Sequence, residues 1–139
     1  MKRIRKMLGM VCVCAMMFSM TAFAVNHDFE FEFKNLHNQQ TGSYEKSDND
    51  QKWYISLDTV NSRTGKANNM SSTNIFGCKM HRNYNDTVDT YHTFSNYVSA
   101  YPIEYSSTVY KNDVMHMVVK KDSNSTNSAY LNISGRFAP

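Results

Sequence analysis

Polar and apolar residues alternate with a period of two in several stretches of this chain, and no run of ten residues carries helical spacing. Between His27 and Lys34, Phe29, Phe31 and Phe33 alternate with Asp28, Glu30, Glu32 and Lys34. In an extended chain this puts three rings on one face and four charges on the other. The stretch therefore reads as a strand with one buried and one wet face. Lys52 to Val60 repeats the pattern, with Trp53, Ile55 and Leu57 in step. Asn74 to His81 aligns Phe76, Cys78 and Met80. Thr87 to Phe94 is rich in β-branched and aromatic residues and reads as a strand. Its inward face is open between Val88/His92/Phe94 and Tyr91/Thr93. Asp113 to Lys121 is apolar on both faces (Met115, Met117, Val119 against Val114, Val118), which suits a central strand. Ala129, Leu131, Ile133, Gly135 and Phe137 alternate in the last. Short strands are expected near Tyr44 and near Ile103–Tyr105, with Pro102 breaking the chain. Asn61 to Thr73 reads as a polar loop and Asn83 to Asp86 as a turn. Asp122 to Asn127 has the composition of a hairpin loop. The expected fold is all-β, a small antiparallel β-sandwich of about 6–8 strands.

Residues 1–24 follow a different pattern. Lys2, Arg3, Arg5 and Lys6 precede an almost wholly apolar run from Met7 to Met20, which closes on Ala22-Phe23-Ala24. This is the layout of a cleavable signal peptide. The run is shorter than the roughly 20 apolar residues of a membrane span. Val11 and Val13, rather than small residues, precede Cys12 and Cys14, which argues against lipidation. The expected product is one domain, residues 25–139, secreted and without a membrane span.

Removing the leader changes the charge. The whole chain is +3, whereas residues 25–139 hold eleven basic and twelve acidic side chains, a net charge of −1. Apparent basicity then gives no ground for a nucleic-acid partner. Cys78 alone remains of the three cysteines, so no internal disulfide is possible. The domain has to fold on its core, which about 115 residues can supply.

Candidate chemistry is sparse. Cys78, His81, Met115 and His116 are soft and borderline ligands that suit Cu(I) or a redox role. Strand parity opposes the grouping, since it sets Cys78 and the methionines on one face and both histidines on the other. No catalytic residues, cofactor or metal set is assigned. His92 has Asp89 three residues before it, but no nucleophile elbow accompanies the pair. Tyrosines crowd the stretch from Tyr84 to Tyr110. Tyr97, Tyr101 and Tyr105 are the candidate binding residues, because exposed Tyr offers flat apolar area and a hydroxyl.

Phe29-Glu-Phe-Glu-Phe33, Trp53-Tyr-Ile-Ser-Leu57 and Ile133-Ser-Gly-Arg-Phe-Ala-Pro139, behind a leader, resemble a family of uncharacterised small exported β-proteins of Gram-positive bacteria. Size, leader, Tyr/Ser/Asn content and low Cys are similar to lactococcin-type secreted β-sandwich bacteriocins. The first likeness implies no activity. The functional expectation is a secreted non-enzymatic binding protein acting at the cell envelope or outside the cell, bacteriocin-like in one version. A carbohydrate- or cell-wall-binding module is the alternative, and a Cu(I)/redox protein a further one. The expected partner is an unidentified surface or wall component, and the oligomeric state is open.

Overall fold

The alternating stretches become strands, and the strands assemble into two antiparallel sheets. The computed structural model describes residues 24–83 and 86–139. Except for Ala24, the expected leader lies outside the described residues, as do Tyr84 and Asn85. In chain order the strands are β1 (His27–Phe33), β2 (Gln39–Gln40), β3 (Tyr44–Glu45), β4 (Lys52–Leu57) and β5 (Phe76–Arg82). They continue as β6 (Asp86–Thr87), β7 (His92–Phe94), β8 (Tyr101–Glu104), β9 (Val114–Lys121) and β10 (Leu131–Ala138).

The first sheet runs β1-β10-β4-β8. In the second, β5 and β9 pair over their length, with Met80 opposite Met117 and His81 opposite His116. The short β2 and β3 share the outer side of β9, and β6 and β7 share that of β5. Phe29, Phe33, Trp53, Ile55, Leu57, Leu131, Ile133 and Phe137 of the first sheet are buried. So are Phe76, Cys78, Met80, Met115, Met117 and Val119 of the second. Phe29 and Phe76 stack across the interface at 6.2 Å. Each such side chain contributes about 1.5–3 kcal/mol on burial, so the strand periodicity is also the main source of stability.

Three expectations are corrected. Thr87–Phe94 is not one strand: β6 ends at Thr87 and β7 starts at His92. Between them the chain leaves the ladder, and Val88 and Asp89 turn into the interior. Asp122–Asn127 is not a hairpin loop, because β9 and β10 lie in different sheets. Turn-forming residues serve either connection. Here the Asp122 amide donates to Ile75 O (2.9 Å) and the Asn127 amide to Thr73 O (2.8 Å). The buried Lys121 ammonium donates to the carbonyls of Asn127 and Ala129, both at 2.6 Å. These bonds steer the chain across to the first sheet. Pro102 does not end a strand but sits inside β8. It is tolerated there because β8 is an edge, where a missing N–H breaks no ladder.

Candidate functional site

The three tyrosines singled out by sequence do not form an exposed row. Tyr105 is 9% exposed and belongs to the core. Burial first, then nearby carboxylates led by Asp89, push its phenol up. The buried Lys46 ammonium lies 5.3 Å from the centre of its ring and pairs with Asp48 at 2.9 Å. Tyr97 is half-buried against the core. Tyr101 is 49% exposed and meets Phe94 edge-on at 5.8 Å. Tyr105 follows β8 two residues after buried Ile103 and turns inward with it, whereas Tyr101, on the same side at the start of the strand, stays exposed.

The soft-ligand set is split as parity requires. Cys78 and Met115 are fully buried between the sheets, and burial pushes the thiol well up, with Asp89 adding to it. His81 and His116 pair on the opposite face of the second sheet, with ring centres 5.4 Å apart. Burial lowers the pKa of both imidazoles. Among the described residues no three His, Cys, Asp or Glu side chains gather as metal ligands.

Inside the sandwich the segment between β6 and β7 delivers one carboxylate. Asp89, 2% exposed, accepts from the Trp53 indole N–H at 2.8 Å and binds His92 Nε2 at 2.9 Å. The Asp89–His92 spacing was visible in sequence, but its third member was not. A core Trp needs an acceptor for its N–H, and that requirement was the available signal. The cluster joins the two sheets, and it sits beside a thiol held protonated.

A different constellation lies on the outer face of the second sheet. Asn38, Lys79, Tyr91, Val118 and Lys120 line a groove of about 330 Å³. Gly77 makes room for it: a Cβ there would overlap the Tyr91 hydroxyl. Tyr91 therefore lies over the sheet, and the Lys120 ammonium stands 4.3 Å from its ring centre. Burial, then Asp122, pushes the Tyr91 phenol up, so it stays a donor, and its oxygen has no partner among the described residues. Among the described residues Lys79, Lys111, Lys120 and Lys121 enter no ion pair, and of these Lys79 and Lys120 line the groove, whereas Lys34, Lys46, Lys52 and Lys66 are paired. Two free ammonium groups beside an aromatic ring and an amide can hold an anion next to a flat ring.

No family model, curated protein or solved structure matches this chain. No helix among the described residues is long and apolar enough to cross a membrane.

Proposed function

We propose that this is an exported, non-enzymatic binding domain that attaches to the cell envelope through the groove on the outer face of the second sheet. Its ligand class is an anionic envelope polysaccharide, bearing phosphate or carboxylate on sugar-like units. The observation that carries this reading is the unpaired Lys79 and Lys120 on either side of Tyr91 and Val118. An anionic oxygen would accept from the lysines, and the ring of Tyr91 would cover an apolar sugar face. The leader pattern of residues 1–24 supports the location.

The experiment is co-sedimentation of residues 25–139 with washed Gram-positive cell walls. Saturable pelleting is expected, weakened by salt because exposed charge contacts are screened. The Lys79→Ala/Lys120→Ala pair should weaken pelleting about tenfold, or about 1.4 kcal/mol, the scale of two exposed charge contacts. No pelleting, or pelleting indifferent to both substitutions, would reject the groove.

A further inference from the structure

We infer that the amino terminus released after Ala24, Val25-Asn26-His27, is a square-planar copper(II) site. The inference rests on the leader reading above, because cleavage there makes a free α-amine two residues before a histidine. Neither residue 26 nor residue 27 is proline, so both intervening amides carry an ionisable N–H. The Val25 amine, the amide nitrogens of Asn26 and His27, and His27 Nδ1 can then close fused chelate rings around one ion. Four nitrogens in a plane is a geometry that Cu(II) and Ni(II) favour.

The fold leaves this tripeptide available. Val25 is 56% exposed and Asn26 is exposed, and both precede the first strand. His27 opens β1 opposite Phe137, so chelation disturbs at most the terminal rung of the ladder. The imidazole enters no hydrogen bond among the described residues. Its ring stacks on Tyr44 with centres 3.7 Å apart and lies 5.7 Å from that of Phe137, so chelation exchanges these ring contacts for the metal. Binding is coordination without redox change: the ion enters, and the ammonium proton and two amide protons pass to solvent. Affinity therefore falls as pH drops and protons compete.

The decisive experiment titrates residues 25–139, with Val25 as the authentic first residue, with copper(II) chloride. It is read by visible absorption and by electron paramagnetic resonance of the nitrogen ligands. One ion per chain with a square-planar spectrum is expected. Two variants, His27→Ala and a chain that keeps Ala24 ahead of Val25, should not show that spectrum at one equivalent. The second leaves every side chain of the fold intact and only moves the histidine one place from the amine. The same spectrum in all three chains would place the ion elsewhere and overturn the site, as would absence of the spectrum in the first. Amino-terminal sequencing of the exported protein separates the two premises. A start at Val25 supports the cleavage reading. Any other start removes the site from the exported protein, whatever the titration of residues 25–139 gives.

Discussion

Asp89 shows how much one side chain can hold. Its carboxylate satisfies the indole of Trp53 in one sheet and binds His92 in the other. Asp89→Ala strands a buried N–H, which costs about 1–3 kcal/mol. The expected result is a lower urea midpoint with an unchanged slope. Asp89→Asn keeps an acceptor and should cost less than Ala. Cys78 makes a second prediction. Its thiol is buried and held protonated. An aromatic disulfide reagent should therefore label the native protein only as fast as the chain opens. Rapid stoichiometric labelling would refute its placement between the sheets.

At the level of elements, two glycines face different obstacles: backbone at Gly135 and a side chain at Gly77. In β10, between β1 and β4, a Cβ on Gly135 would overlap the Ser56 carbonyl and come within 3.0 Å of Phe29 Cζ. Backbone cannot step aside without opening the ladder, so Gly135→Ala should destabilise by about 1–3 kcal/mol, read as a fall in Tm. At Gly77 the obstacle is the Tyr91 hydroxyl, the end of a side chain that can swing. Gly77→Ala should leave Tm nearly intact and, on the wall-binding proposal, weaken pelleting with cell walls, because Tyr91 loses its place in the groove. Edge strand β1 makes a third case. Its outward Asp28, Glu30 and Glu32 are exposed beside an unpaired backbone edge, and charge discourages edge-to-edge pairing. Asp28→Asn/Glu30→Gln/Glu32→Gln should shift sedimentation toward larger species than the unsubstituted chain forms.

For the whole molecule, net charge hides its distribution. Residues 25–139 are nearly neutral, yet the acidic row of β1 lies on one sheet and the free Lys79 and Lys120 on the other. The fold also sets a pH response. His27, His81 and His116 all have pKa values lowered from 6.5, with burial the leading cause. For His81, Lys79 and His116 lower the value further and Asp86 opposes them. Between folded and unfolded values the unfolded chain binds more protons, so stability rises with pH across that window. It is fully present above the unfolded value and is lost as pH falls through the folded ones. The urea midpoint should therefore be lower at about pH 5.5 than at about pH 7.5. A midpoint unchanged or raised by acid would contradict the burial of these rings.

The alternation of Phe29-Glu-Phe-Glu-Phe33, Trp53 to Leu57 and Phe76 to Met80 determined strand, face and core. Parity is a property of the extended backbone and needs no knowledge of neighbours. The same rule separated Cys78 from His81 without reference to their neighbours, whereas along β8 it does not decide burial, since Tyr101 and Ile103 share a side and only Ile103 is buried. What only the tertiary structure decided is which strand pairs with which. The β9–β10 connection has hairpin composition but crosses between sheets, because bonds from Lys121, Asp122 and Asn127 reach partners that local sequence does not specify. The same long-range pairing sets Lys79 beside Val118 and Gly77 beside Lys120, and so builds the groove around Tyr91. Spacing along the chain encodes the face a residue occupies. Its neighbours on that face are chosen by register, a cooperative outcome of both sheets closing on one core.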